Sequence, residues 1–196
     1  MTGYVGGTLA GQPLTGTANG VGFSAFGFTV PDILTPETVA QATWNGVGFG
    51  VIGFGSDTTI DGEGIDKNEL LRLVFDKPVT LTSISFGGLG AIDDVFIAVT
   101  GQPGQRYGNV GGSPNPPSTA LLTNPLHLSL FGTSFDIVAG FPNPACAIPG
   151  GDCGGANDSF QVTGLEVQPV PLPAAGWLLL AGVGGLAALR RRRETA

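Results

Sequence analysis

Along most of the chain apolar and polar positions alternate with period two, the spacing of a half-buried β-strand. Leu71, Leu73 and Phe75 share one face with Arg72 opposite; beyond a Lys77-Pro78 turn come Val79 and Leu81, and then Ile84 and Phe86 on shifted parity. The same shift follows glycine twice more. Leu126, Leu128 and Leu130 give way across Gly132 to Phe135 and Ile137, and Phe160 and Val162 give way across Gly164 to Leu165 and Val167. A glycine at a parity switch predicts a β-bulge, which bends a strand while keeping its core face inward. Val21, Phe23, Phe26, Phe28 and Val30 predict an early strand, Val47 to Phe54 another, and Asp93 to Val99 a third. Only Leu34 to Thr43, with Pro36 near a helix start and Glu37 in the first turn, suggests a helical turn.

Roughly seven or eight short strands divided by Gly and Pro predict an all-β fold, a Gly-rich antiparallel β-sandwich or jelly roll. The domain is expected over residues 1–167, with Gly101 to Pro117 as a long loop, 168–173 as a Pro-rich linker and 174–196 as a C-terminal segment. Composition agrees. With 34 Gly, 15 Pro and 12% charged residues among 196, the chain lacks the Ala, Glu, Lys and Leu of a helical bundle or coiled coil, and its glycines have no collagen period. The net charge of −7 hides a split, since Arg190 to Arg193 supply half of the eight basic residues. Before Ala174, four basic residues (Lys67, Arg72, Lys77 and Arg106) face fourteen acidic ones, a net of −10. A body this acidic repels phosphate backbones, so no nucleic-acid partner is expected.

From Ala174 to Leu189 runs AAGWLLLAGVGGLAAL, sixteen residues without a charge. As a helix it would span about 24 Å, close to a bilayer core of about 30 Å. Trp177 suits the headgroup interface, and Arg190, Arg191, Arg192 and Arg193 place the far end in the cytoplasm. Gly182, Gly184 and Gly185 would allow close helix packing. A buried core helix is the alternative, but four adjacent arginines make poor company for one. Just before this segment, Val170-Pro171-Leu172-Pro173-Ala174 cannot continue a helix or a ladder and is expected to be extended and accessible.

The order VPLPAA, apolar segment, RRRR resembles the VPLPA-CTERM variant of the PEP-CTERM sorting signals, found at the ends of surface-directed proteins of Gram-negative bacteria. The resemblance covers Val170 to Arg193, 24 of 196 residues. It implies recognition and processing at Val170 to Ala174 by an exosortase, an integral-membrane cysteine transpeptidase. It further implies an inner-membrane precursor, with the arginines as stop signal and the body outside, and then a cell-surface or extracellular-matrix product. Proteins with such tails are associated with exopolysaccharide and biofilm matrix. This orientation requires an export signal. Met1 to Val30 has no basic residue and does not read as one, so the expectation is a longer precursor that starts further upstream.

Cys146 and Cys153 enclose six residues containing Pro149-Gly150, which suits a loop-closing disulfide in an oxidising compartment and stabilisation of about 2–3 kcal/mol; free thiols are the alternative. Five carboxylates, Asp57, Asp61, Glu63, Asp66 and Glu69, fall within thirteen residues. They form a candidate calcium site, with Asp93 and Asp94 as further donors, to be weighed against a solvated acidic loop. The EF-hand pattern fails, since Thr59 and Asn68 occupy ligand positions. Asp93 and Asp94, adjacent in a strand, point to opposite faces and cannot work together as acid and base. His127 reads as an ordinary strand histidine, for no GxSxG elbow accompanies it. The Gly-rich stretches GGLG and GVGFGVIGFG lack the lysine of a phosphate cradle. The expected function is therefore non-enzymatic: a surface or matrix protein whose body binds polysaccharide or calcium, with no other cofactor. A secreted hydrolase on the same scaffold and an unprocessed membrane-anchored protein are the rivals.

Overall fold

The computed structural model describes residues 2–5, 10–30, 38–53, 58–62, 68–90, 93–108, 120–139 and 158–170. They form twelve strands: β1 (Thr2–Val5), β2 (Leu14–Ala18), β3 (Val21–Val30), β4 (Thr38–Trp44), β5 (Phe49–Ile52), β6 (Ile60–Gly62), β7 (Asn68–Gly87), β8 (Asp94–Val99), β9 (Gln105–Gly108), β10 (Ala120–Leu121), β11 (Leu126–Ala139) and β12 (Asp158–Pro169). Among the described residues there is no helix, and the fold is all-β. The helical turn expected at Leu34 to Thr43 is replaced, from Thr38 onward, by β4, whose Ala40 and Ala42 face the core. Thr, Val and Trp fit a pleated, half-buried surface, and that preference outweighs the weak start signal at Pro36.

All twelve strands belong to one hydrogen-bonded sheet, and that sheet closes on itself. The circuit runs β3, β4, β5, β12, β6, β7 and back to β3, while β1 and β2 extend from β3 and β11, β8, β9 and β10 extend from β7. A closed six-strand barrel with added strands therefore stands where two separate sheets were expected. Period-two alternation tells which face is buried but not whether the edges meet. Closure is achieved by long strands that serve two neighbours along one edge. Residues 68–75 of β7 pair with β3, and residues 79–87 of the same edge pair with β12.

Between those stretches Asp76, Lys77 and Pro78 are exposed, so β7 bends there without ending. Pro78 is tolerated because the ladder to β11 skips a register between Gly132 and Ser134, opposite this bend. A second register shift lies at Val162/Gly164 in β12. Both fall at the glycine parity switches of the sequence, whereas the further shifts at His127/Leu130 and Glu166/Val167 have no glycine.

The interior is filled by Leu71, Leu73, Leu81, Ile84, Ile137, Phe49, Phe135 and Phe160, all fully buried. Rings form a chain across the barrel: Phe23 meets Phe49 at 5.8 Å and Phe75 at 5.7 Å, and Phe75 meets Phe135 at 5.8 Å. Phe23 with Phe49 and Phe75 with Phe135 meet edge-on, and pairs of that kind add about 0.5–1.5 kcal/mol each beyond burial. In β3, Val21, Phe23 and Ala25 point inward, while Phe26 and Phe28 are half-buried on the other face. Two glycines mark close approaches. A Cβ on Gly50 would lie 1.8 Å from the Thr58 carbonyl oxygen, and one on Gly53 would lie 2.7 Å from Glu69 Oε1.

Candidate functional site

Buried charge collects where β8, β9 and the start of β12 meet. Asp93, Asp94, Arg106 and Asp158 are each at most 6% exposed. Arg106 donates from Nη2 to Asp94 Oδ2 as a buried ion pair. Asp158 Oδ1 accepts the Asp94 backbone N–H at 3.0 Å, whereas Asp158 Oδ2 has no hydrogen-bond partner. Asp93 Oδ2 accepts the Gly90 N–H at 2.5 Å.

One cation thus stands among three carboxylates. Burial is the main cause that pushes the Asp158 carboxyl up to about 8; the charges of Asp94 and Asp93 add to it, while the Asp94 N–H and Arg106 oppose it. Burial likewise raises Asp93, with the Gly90 N–H opposing and Asp94 adding. At neutral pH, Asp158 is therefore mostly a neutral acid with a proton on a group of this cluster. Asp93 and Asp94 are both buried but differently held, Asp93 by the Gly90 N–H and Asp94 by Arg106.

Of the five acidic-loop residues, Asp61 and Glu69 are described; Asp57, Glu63 and Asp66 lie outside the described residues. Glu69 is fully buried and accepts two backbone donors, Gly53 N–H at 2.8 Å and Asp61 N–H at 3.0 Å. Asp61 in turn accepts from the Thr59 hydroxyl at 2.7 Å. Here Glu69 acts as a clamp between the end of β5 and β6. Among the described residues no three carboxylate, histidine or cysteine side chains converge as a metal site requires.

A second ion pair spans β7 and β11. Arg72 grips Asp136 through Nε at 2.6 Å and Nη2 at 3.0 Å, and its guanidinium carbon lies 4.9 Å from the centre of the Phe28 ring. Thr100 donates its hydroxyl to the same carboxylate at 2.9 Å. This forked, stacked geometry uses properties particular to arginine.

A shallow cleft of about 330 Å³ opens over β2, β3 and the bend of β7, with Thr15, Ser24, Val74 and Asp76 around it. Its floor is kept open by Gly22, where a Cβ would lie 2.8 Å from Asp76 Oδ2. Phe23, Val74 and Phe75 make most of its lining apolar, and the Thr15 and Ser24 hydroxyls and the Asp76 carboxylate are its polar groups. His127 is exposed on β11 opposite Ser83 and makes no hydrogen bond to a serine or aspartate among the described residues.

At the C-terminal end, β12 remains in the ladder to Pro169, which pairs with Val79. Val170, 39% exposed, donates its N–H to the Pro78 carbonyl at 3.3 Å. Pro171, Leu172, Pro173, Ala174, the 174–189 segment, Arg190 to Arg193 and both Cys146 and Cys153 lie outside the described residues. Among the described residues no helix is long and apolar enough to cross a membrane.

Sequence reading missed Asp158, Arg106 and Asp136. A signal existed for the arginines: in a body with four basic residues against fourteen acidic ones, a strand arginine is expected to find a carboxylate. Nothing in Asn157-Asp158-Ser159 marks its aspartate as buried. Compared with protein families, curated proteins and solved structures, the chain matches none.

Proposed function

We propose that this chain is a non-enzymatic surface or extracellular-matrix protein, delivered through a VPLPA-type C-terminal sorting signal that an exosortase-like membrane transpeptidase recognises at Val170 to Ala174. The observation that carries this reading is the end of β12. The ladder that closes the barrel stops at Pro169, and the next residue begins the Val-Pro-Leu-Pro-Ala motif. Removing everything after the motif would take away none of the twelve described strands, so those strands stay together in the processed body. The same junction leaves Val170 exposed, as a site of proteolytic attack requires.

The precursor resides in the inner membrane with its arginine cluster inside, and the released body goes to the cell surface or matrix. There the Thr15, Ser24 and Asp76 cleft is the place for a polysaccharide, whose hydroxyls pair with such groups. Calcium is the alternative ligand, taken by the acidic loop. In a host with an exosortase, a Pro171→Ala, Pro173→Ala double variant should accumulate at full length in the membrane fraction while the parent is shortened. Equal shortening of both would reject recognition at the motif. Retained polysaccharide binding after chelation would exclude the calcium-dependent version.

A further inference from the structure

Resting on the sorting reading above, we infer that one corner of the barrel, carrying Val170, Phe131 and Lys77, is seated against the lipid headgroups while the precursor is anchored. Val170 is tied to Pro78, and the apolar segment begins at Ala174, four Cα steps further on. Chain extends by at most about 3.6 Å per residue, so those steps reach no more than about 14 Å. On the sorting reading the sixteen residues from Ala174 would cross as a helix of about 24 Å, shorter than a hydrocarbon core of about 30 Å, which would leave Ala174 no slack to rise out of it. Headgroups occupy roughly 6 Å on each side, so Val170 stands no more than about 8 Å above them.

Register identifies what else is there. Thr80 pairs with Gln168 on one side and Phe131 on the other, so these three residues share a face. With strands about 4.8 Å apart, Phe131 lies roughly 10 Å from Gln168. The β2–β3 turn reaches the same corner, where Asn19 Nδ2 donates to the Val167 carbonyl at 2.8 Å.

Of the five exposed large apolar side chains among the described residues, Phe131 at 60% and Val170 at 39% belong to this corner. Val47, 63% exposed, belongs to the opposite end, in the turn before Phe49, which pairs with Val162. That is seven residues back from Pro169 along β12, about 23 Å. Lys77 is exposed beside Asp76, and the body carries a net −10, so anionic lipid repels it. The tether and the apolar rim, rather than charge, hold the corner down.

The test uses the full chain in phosphatidylethanolamine vesicles with a minor share of phosphatidylglycerol. Bromine on the lipid acyl chains reads the depth of Trp177 in a Trp44→Phe background, which tests the tail alone. A nitroxide on the headgroups reads Phe131→Trp and Val47→Trp, each in a background lacking both native tryptophans. The inference expects emission from position 131 to be quenched and emission from position 47 to be untouched. Quenching of Trp177 without quenching at 131 would overturn the corner and leave the tail reading standing. Quenching at both 131 and 47 would mean that the barrel lies on its side, which also overturns it. An unquenched Trp177 would reject the tail reading, and the inference with it.

Discussion

Asp158 is a buried acid whose unpartnered oxygen faces no compensating donor, and its replacement by asparagine is the sharpest test of the barrel's energetics. Folding lifts the carboxyl from 3.8 to about 8, chiefly by burial. The folded state therefore keeps a proton that the unfolded chain releases above about pH 4, and stability falls as pH rises from about 4 to about 8, then levels off. At roughly 1.4 kcal/mol per unit, the loss at pH 7 is at most about 4 kcal/mol, reduced by whatever Arg106 recovers through rearrangement. Burial raises Asp93 in the same direction and steepens the slope.

Asp158→Asn keeps an oxygen to accept the Asp94 N–H and places a donor where Oδ2 has no partner, beside the charges of Asp93 and Asp94. Urea unfolding followed by aromatic circular dichroism at pH 5 and pH 8 should show the parent losing stability at the higher pH. The variant should be flatter and more stable than the parent at pH 8 by about 1–3 kcal/mol. Asp158→Ala, which orphans the Asp94 N–H, should instead lose about 1–3 kcal/mol at pH 5. A parent that gains stability from pH 5 to pH 8, or an asparagine variant less stable than the parent at pH 8, would refute the reasoning.

Two further substitutions probe the close approaches and the outer ion pair. Gly50→Ala forces a methyl to within 1.8 Å of the Thr58 carbonyl oxygen, so the β5–β6 region must shift; a loss of about 3 kcal/mol or more is expected in the same unfolding assay. Arg72→Lys retains the charge but loses the fork on Asp136 and the stacking on Phe28; a loss of about 1–2 kcal/mol is expected, diminishing little with added salt because the pair is mostly buried.

The long strands β3, β7, β11 and β12 were legible because much of their length alternates with period two, and the register shifts at Gly132 and Gly164 announced themselves as parity switches; β1, β2, β4, β6, β9 and β10 were not among the seven or eight strands expected. Closure of the sheet was not, since it depends on β7 sharing one edge between β3 and β12, a pairing of residues far apart in sequence. Local rules also misjudged Lys77-Pro78, a turn signal that becomes a bend inside one twenty-residue strand. Of the candidate site, the acidic character was visible, but not its division of labour. Glu69 resembled a metal ligand by spacing, whereas burial gives it two backbone donors to hold. Asp158 gained its perturbed acidity chiefly through burial, with the charges of Asp94 and Asp93 adding to it, and no local pattern around residue 158 encodes either.

On the proposed function, the barrel is the product and the segment after it is a signal to be removed. Intact mass of the protein from the surface fraction of the host that produces it tests this most directly. The account predicts a species whose C-terminus falls within Val170 to Ala174, with or without an added group, and which lacks Arg190 to Arg193. A full-length species still carrying those arginines in the membrane would contradict it and make the segment an anchor.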